Sequence, residues 1–265
     1  MRKKEKKSKN LKFAIYFIIV IVFFGGLSLA FKLGIILKNT SFDNNHRYNL
    51  EFNKEGVSCI ASFSPETESI SIVNVEGRIY ESTNKALGVP IDAKVLSGCP
   101  IESSSIFSKV AGIFPGSLKV SSKPTFIDVI RLMAFVKSVP KDSIVEESLN
   151  VSTDDILKQQ ILSPLFLDQS IVNEKKTIEI VNSTDTPGLG ARLAVLLNNI
   201  GANIVLVVTS EKPEKSSQIV YYGKESYTLE KIEQILRFKK VKKEGQAIAD
   251  VIIIIGEDER NTLKF

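Results

Sequence analysis

The sequence predicts an α+β protein with an N-terminal transmembrane helix, a small α+β middle domain and a C-terminal β-α-β-β-α-β sandwich carrying two helices on one face of its sheet. Three observations support this prediction: an uncharged apolar run near the N-terminus, strand-like segments after it, and alternating helical and strand patterns in the last third. We expect a basic tail at 1–12, a transmembrane helix at 13–37, the middle domain at 48–150 and the C-terminal domain at 175–259.

The first predicted element is the transmembrane helix. Residues 13–31 contain no charged side chain and are bounded by Lys12 and Lys32. At 1.5 Å per residue this run spans roughly 28 Å, close to the ~30 Å hydrocarbon core, and Lys32 can snorkel so that residues 33–37 extend it. A cleaved signal peptide is the alternative, but its apolar core is shorter, and small residues are expected where Phe31 and Lys32 stand. The sequence therefore favours a retained anchor.

The positive charge belongs to the N-terminal tail. Residues 1–12 carry one Arg, six Lys and one Glu, a net charge of +6, whereas the whole chain is +5, so the remainder is about −1. Nucleic-acid binding needs basic residues clustered on a folded face, and we expect no nucleic-acid partner. Lysine-rich flanks stay in the cytoplasm. We therefore predict a single-pass protein of the cell membrane whose residues from about 38 onward are extracytoplasmic.

The composition excludes several chemistries. The chain has one His, two Cys and no Trp, too few ligands for a zinc site. A histidine-dependent triad would have to use His46, which lies in the polar stretch 39–47 and is expected to be a solvated linker residue. We predict no catalytic residue, no metal site and no cofactor.

The middle domain shows strand patterns first and helical patterns later. Between them, residues 81–120 are mixed and contain no element that the pattern assigns. A helix is predicted at 124–139, ending before Pro140, and a second helix is predicted to open at Ser152. The predicted strands are 48–53, 57–64 and 69–75, with a hairpin turn at 64–69.

The two cysteines, Cys59 and Cys99, lie in the part predicted to be exported, where a disulfide can persist. Closing a loop of about 40 residues would stabilise the fold by ~3–4 kcal/mol in a chain-entropy interpretation. Two unpaired buried thiols are the alternative, and the sequence leaves both open.

The C-terminal domain has the clearest pattern. Its basic run at 237–245 is interpreted as the solvated end of a helix, with contact to anionic wall polymer or lipid headgroups as the alternative. The predicted strands are 177–182, 203–210, 218–223 and 250–256, and the predicted helices are 188–201 and 228–240.

Several short features of this domain occur in a fixed order. A strand ends in Val181-Asn182, a polar turn follows, and Gly188-Leu189 opens a helix; later come the strand at 219–222 and an apolar strand running into residues 256–258. This arrangement resembles the small C-terminal domain of many LytR-CpsA-Psr envelope proteins, over about residues 175–259. Ser183 stands where members of that family often have Gly, which bears on the geometry of the turn.

Residues 48–150 are similar, in the strand pair at 63–77, to a degenerate form of that family's catalytic domain. The catalytic domain transfers glycopolymers from lipid carriers and uses arginines and acids. The Pro-Arg-Asp motif expected after the strand pair is replaced by residues 75–78, and the segment holds only Arg78 and Arg131. Handling a pyrophosphate needs several convergent Arg and acidic groups. An enzyme would therefore require Arg78, Arg131 and acids such as Asp92 or Asp128 to meet.

The glycines after the strand at 177–182 allow two interpretations. Gly188-x-Gly190 at a helix N-terminus is typical of phosphate-binding loops, but a dinucleotide fingerprint needs a third Gly where Leu193 stands. The alternative is a turn in which one of residues 183–186 caps the helix. We expect no nucleotide partner, because the predicted orientation places the domain outside. A milder hypothesis is that the turn binds an anionic or carbohydrate ligand; its candidate residues are Asn182, Ser183, Thr184, Gly188 and Gly190.

These inferences predict a membrane-anchored protein of the bacterial cell envelope that is not an enzyme. Its LytR C-terminal-like domain would bind cell-wall glycan or polymer, or an envelope protein. The alternative is a reduced LytR-CpsA-Psr-type glycopolymer transferase that acts on pyrophosphate-linked lipid carriers.

Overall fold

The fold begins with one long helix, α1, at Arg2–Asn39. A computed structural model describes residues 2–77, 79, 82–100, 105–117, 123–245 and 247–259. Within these residues, one helical stretch, Phe13–Asn39, is long and apolar enough to cross a membrane, and its apolar window is not buried in the protein. The side chains of this apolar window are exposed, which is typical of a helix that contacts lipid and not a protein core.

The first sheet contains the three strands predicted in the middle domain and two more. Its order is β4-β1-β2-β3-β5 among the described residues; β1, β2 and β3 are antiparallel, and both edge strands are parallel to their neighbours. The predicted turn between the second and third strands contains a 3-10 helix at Pro65–Thr67. The strands are β1 (Tyr48–Lys54), β2 (Val57–Ser64), β3 (Ser69–Glu76), β4 (Ala93–Val95) and β5 (Ile144–Asn150).

Helices cover both faces of this sheet because buried apolar side chains point to both of its sides. Phe52 and Phe63 pack on α3 and α4, whereas Ile60 and Val73 pack on α2 and α5. A 3-10 helix at Lys141–Ser143 leads into β5. The α-helices in this part are α2 (Thr83–Leu87), α3 (Ile106–Ser117), α4 (Phe126–Ser138), α5 (Asp155–Phe166) and α6 (Gln169–Glu174).

Two predicted details of this region are wrong. The helix that was expected to open at Ser152 begins later, because Asp154 caps α5 by accepting a hydrogen bond from Ile156 N. Residues 39–47 are not a simple solvated linker, because the Phe42 ring is fully buried in the core and Arg47 is 7% exposed. The segment that leaves α1 is therefore packed against the first sheet and its helices.

The second sheet has the order β7-β6-β10-β8-β9 among the described residues. Alternating side chains of β6, β8 and β10 form one apolar cluster with α7 and α8, so both helices lie on the same face, as predicted. A 3-10 helix follows at Glu257–Glu259. The elements are β6 (Thr177–Asn182), α7 (Leu189–Asn199), β7 (Asn203–Thr209), β8 (Gln218–Tyr222), α8 (Tyr227–Leu236), β9 (Lys239–Lys243) and β10 (Val251–Ile255).

The basic run at 237–245 was wrongly assigned to the end of a helix. Arg237 adopts a left-handed backbone with φ of 59°, which ends α8, and Lys239–Lys243 then form β9, an edge strand parallel to β8. The sheet therefore contains one strand more than the predicted β-α-β-β-α-β pattern. Four lysines around a central Val241 resemble the end of an amphipathic helix over so short a stretch, and pairing with β8 decides the outcome.

Helix α5 joins the two halves of the molecule. One side of it packs on the first sheet through Leu162 and Phe166. On the other side, Ser163 Oγ donates to Asn199 Oδ1 of α7 at 3.2 Å, and Asn199 Nδ2 donates to the Gly88 carbonyl at 2.8 Å. The helical layer of the second sheet therefore faces the first sheet, and the opposite face of the second sheet points away from it.

Candidate functional site

The turn after β6 is held together by the side chain of Asn182. Its Oδ1 accepts hydrogen bonds from Thr184 N at 3.2 Å and Thr184 Oγ1 at 2.8 Å, and its Nδ2 donates to the Thr186 carbonyl at 2.9 Å. Ser183 N donates to the Ile255 carbonyl of β10. Asn182, Ser183 and Thr184 are all less than 9% exposed. Their polar groups stabilise the turn itself, and ligand binding by these three residues stays a prediction.

The two glycines of this turn have different roles. Gly188 occupies the N-cap of α7 with φ of 82° and without any side-chain cap, so the prediction that one of residues 183–186 caps the helix is wrong. Gly190 faces the sheet, where a Cβ would lie 3.0 Å from Val207 Cγ1 and 3.6 Å from Ile180 Cγ2. The first glycine supplies a left-handed backbone and the second permits close helix–sheet packing, so neither requires a phosphate.

A buried carboxylate holds the end of α1 against α4. Asp128 Oδ1 accepts from Ser41 N at 2.9 Å and Phe42 N at 2.8 Å, and its Oδ2 accepts from Thr125 N and Oγ1 at 2.8 and 2.7 Å. The Asp128 side chain is 1% exposed, and Thr125 and Asp128 also form the capping box of α4. We call this arrangement the Asp128 clasp. It attaches the segment that follows α1 to α4.

The residues required by the transferase alternative are engaged in structural contacts. Arg131 donates to the Phe42 carbonyl at 2.7 Å, next to the Asp128 clasp, and Asp92 is paired with Lys231. Arg78 lies outside the described residues. No group of three or more acidic, His or Cys side chains that could hold a metal occurs in the described part of the chain. Of the four charged residues of that hypothesis, the three described ones already have protein partners.

A polar cleft opens where α1 leaves the apolar stretch. It has a volume of about 740 Å³, and its walls come from residues 38–41 at the end of α1, from residues 90–92 before β4, and from α7 and α8. We call it the juxtamembrane cleft. Its volume is within the ~300–1,000 Å³ range of ligand sites in proteins.

Positive charge dominates the juxtamembrane cleft. Lys38, Lys123 and Arg237 line it and are exposed, and none of them forms an ion pair with another residue that the structure describes. The acidic side chain in the lining, Asp92, lies 2.9 Å from Lys231 Nζ and accepts from Asn49 N at 2.8 Å. The acid is therefore neutralised by its own partners, and the three cations are available to an anion.

Comparison with protein families identifies the last third of the chain. Residues 175–258 match LytR_C. The description of this family is "LytR cell envelope-related transcriptional attenuator". The match confirms the resemblance inferred from the turn and strand order, and we refer to 175–258 as the LytR C-terminal domain. Comparisons with curated proteins and with solved structures found no significant match.

The LytR C-terminal domain is joined to the first half by buried charges. Lys231 of α8 pairs with Asp92 and also donates to the Arg47 carbonyl at 3.3 Å. Arg47 donates through Nη1 to Ser62 Oγ at 2.7 Å and to the Leu165 carbonyl at 2.6 Å. Burial lowers the pKa of Arg47 to about 10, so its guanidinium remains cationic at neutral pH. These bonds fix the orientation of the LytR C-terminal domain relative to the first sheet.

Tyr227, His46 and Asp168 form a second set of contacts at the same junction. The Tyr227 ring stacks on the His46 ring with centroids 3.8 Å apart, and the Tyr227 hydroxyl donates to Asp168 Oδ2 at 2.7 Å. Burial raises the pKa of Asp168 above its ordinary value, and burial followed by the charge of Asp168 raises the pKa of Tyr227. His46, expected to be solvated, is a contact residue of the junction and also pairs with Asp43.

A disulfide joins Cys59 in β2 to Cys99, which follows β4. Cys59 and Cys99 form a disulfide with Cα atoms 5.8 Å apart, and Cys59 is fully buried in the core of the first sheet. The loop after β4 is thereby attached to β2.

Sequence reasoning did not find the juxtamembrane cleft. Lys38 was visible as the residue that ends the apolar run, and Arg237 was visible as the first residue of the basic run at 237–245, but Lys123 carries no local signal. Arg237 reaches the cleft because α5 positions the LytR C-terminal domain beside the end of α1, whereas Lys123 comes from the segment before α4.

Proposed function

We propose that this chain is a single-pass, extracytoplasmic protein of the bacterial cell envelope that binds cell-wall glycan or polymer, or an envelope partner, through its LytR C-terminal domain and catalyses no reaction. One observation carries the proposal: a helix long and apolar enough to span a membrane precedes a domain that matches an envelope-related family. The lysine-rich N-terminus favours a cytoplasmic tail, which would place that domain on the wall side.

The edge strand β9 supplies a surface suited to an anionic polymer. Lys240 points toward α8, where its Nζ lies 2.8 Å from Glu233 Oε2 and 3.6 Å from Glu225 Oε1. Side chains alternate along a strand, so Lys239 and Lys243 point to the opposite face of the sheet. Both are exposed and form no ion pair with a described residue. A polymer with regularly spaced anions can contact both lysines.

The test is sedimentation of the full-length protein, solubilised in maltoside micelles, with isolated cell walls. We expect retention above a control membrane protein, and removal of two contacting lysines in Lys239→Gln/Lys243→Gln should weaken it about thirtyfold, at about 1 kcal/mol for each charge. The variant Lys123→Gln/Arg237→Asn removes the same charge from the juxtamembrane cleft and should be retained like the wild type. Retention no greater than that of the control protein would refute wall binding.

Orientation is tested separately with reporters fused to the C-terminus. An enzyme that is active only after export should report activity, and one that is active only in the cytosol should not. The reverse result would place the LytR C-terminal domain in the cytoplasm and overturn the extracytoplasmic assignment.

A further inference from the structure

We propose that the juxtamembrane cleft binds the phosphate-bearing headgroup of an anionic phospholipid at the membrane surface where α1 emerges. The proposal rests on the membrane anchoring that is part of the proposed function, but not on wall binding. It concerns a different surface from β9 and a ligand of the membrane itself.

The charge of the cleft selects an anion. Three cations from separate elements line the cleft: Lys38 from α1, Lys123 from the segment before α4 and Arg237 from the end of α8. Asp92 does not offset them, because Lys231 and Asn49 N already occupy its two oxygens. Three converging cations favour a phosphate group, which accepts several charge-assisted hydrogen bonds.

The position of the cleft selects a lipid. The apolar span begins at Phe13, and a hydrocarbon core of ~30 Å takes about 20 residues of helix, which ends near Lys32. Lys38 lies six residues further along the same unbroken helix, about 9 Å beyond the hydrocarbon boundary. Headgroup layers extend roughly 5–8 Å from that boundary. The backbone at Lys38 therefore lies just outside the headgroup layer, and its long side chain can reach back to the lipid phosphates.

The cleft is also held in place relative to the bilayer. The Asp128 clasp fixes residues 41 and 42 to α4, and the ion pair between Lys231 and Asp92 fixes α8 to the segment before β4. The elements that carry the three cations are therefore attached to one another and to the segment that follows α1. Amide groups of Asn39 and Gln234 in the same lining can bind the hydroxyl groups of a glycerol headgroup.

A bound headgroup would act as a second attachment point next to α1. A single helix permits the exported body to rotate and tilt above the membrane. A lipid held by residues of both halves would restrict that motion. The inferred role of the cleft is thus orientation of the LytR C-terminal domain.

The experiment uses the full-length protein in maltoside micelles, which contain no phosphate. Native mass spectrometry follows titration with dihexanoyl-phosphatidylglycerol, with dihexanoyl-phosphatidylcholine and with inorganic phosphate. We expect the anionic lipid to bind about fivefold more tightly than the zwitterionic one, since one net charge near basic residues contributes about 1 kcal/mol.

The decisive variant is Lys123→Gln/Arg237→Asn, because neither residue belongs to α1 and both leave the apolar helix unchanged. Asn tolerates the left-handed backbone at position 237. We expect this variant to lose about thirtyfold in affinity for phosphatidylglycerol, because it removes two cations that contribute about 1 kcal/mol each. The matched control, Lys239→Gln/Lys243→Gln, removes two charges from β9 and should bind like the wild type, and circular dichroism confirms that both are folded.

Three results would overturn the proposal. Equal affinity for the two phospholipids would show that the cleft does not select charge. Equal losses in the cleft variant and the β9 control would show a general electrostatic effect. Binding of inorganic phosphate in preference to the lipid would assign the cleft to free phosphate. None of these results affects wall retention of the protein, which is measured separately.

Discussion

Lys231 Nζ lies 2.9 Å from Asp92 Oδ1, and the two side chains are only 6% and 13% exposed. Lys231 belongs to α8 of the LytR C-terminal domain, and Asp92 belongs to the segment that enters β4 of the first sheet. A buried ion pair between the two halves costs desolvation when it forms, but it leaves an uncompensated charge when either partner is removed. It therefore specifies one relative orientation of the two halves.

The first prediction concerns this ion pair. Lys231→Met should lower the free energy of unfolding by about 3 kcal/mol, because Asp92 would remain buried without its partner. Urea unfolding in maltoside micelles, followed by circular dichroism, measures the loss. The double variant Lys231→Met/Asp92→Asn should lose less than the sum of the two single variants.

The control for this prediction is Lys158→Met. Lys158 pairs with Asp155, which is 92% exposed, so the change should cost no more than about 0.5 kcal/mol. Strictly additive losses of the two single variants at Lys231 and Asp92 would contradict a coupled buried pair.

The second prediction concerns the Asp128 clasp. Asp128→Ala should destabilise the protein by about 3 kcal/mol, because four donors at residues 41, 42 and 125 lose a charged acceptor. Hydrogen exchange should accelerate at the amides of Ser41 and Phe42. Asp142→Ala, at an exposed acid in the 3-10 helix before β5, should leave both measurements unchanged. Slow exchange at Ser41 and Phe42 in the Asp128 variant would show that other contacts hold this segment.

The third prediction separates the two glycines of the turn after β6. Gly190→Ala should cost about 1–3 kcal/mol, because its Cβ would lie 3.0 Å from Val207 Cγ1 in a packed interface. Gly188→Ala should lower the free energy of unfolding by about 1 kcal/mol for a different reason. The added Cβ would meet no neighbour, but alanine is strained in the left-handed backbone conformation of this position. Gly112→Ala, in α3 with nothing near the added methyl, should be neutral or stabilising. Thermal unfolding distinguishes the three, and a harmless Gly190 substitution would rule out the packing role.

The fourth prediction concerns the disulfide between Cys59 and Cys99. The variant Cys59→Ala/Cys99→Ala should be less stable by about 3–4 kcal/mol, because the bond closes a loop with a sequence separation of 40. Reductant should lower the stability of the wild type toward that of the variant and should not affect the variant. Free thiols detected in the unreduced, denatured wild type would contradict the pairing.

Local sequence pattern predicted much of the second sheet. The burial of every second residue in β6 and β10 follows directly from the alternation along those strands. The sequence pattern did not predict β9, because its five residues of lysine and valine show no periodicity that distinguishes a helix end from an edge strand. It also failed at residues 39–47, where polar neighbours concealed the buried Phe42 ring.

The sequence by itself determined the apolar helix and the β-α-β-β-α-β succession of elements in the LytR C-terminal domain, because these depend on neighbouring residues along the chain. Only the tertiary structure decided that Asp128 would bind the end of α1 and that Lys38, Lys123 and Arg237 would line one cleft. The reason is that such contacts join residues far apart in sequence. For the cleft, that meeting depends on how α5 packs between the first sheet and α7, because this packing brings Arg237 of the LytR C-terminal domain near Lys38.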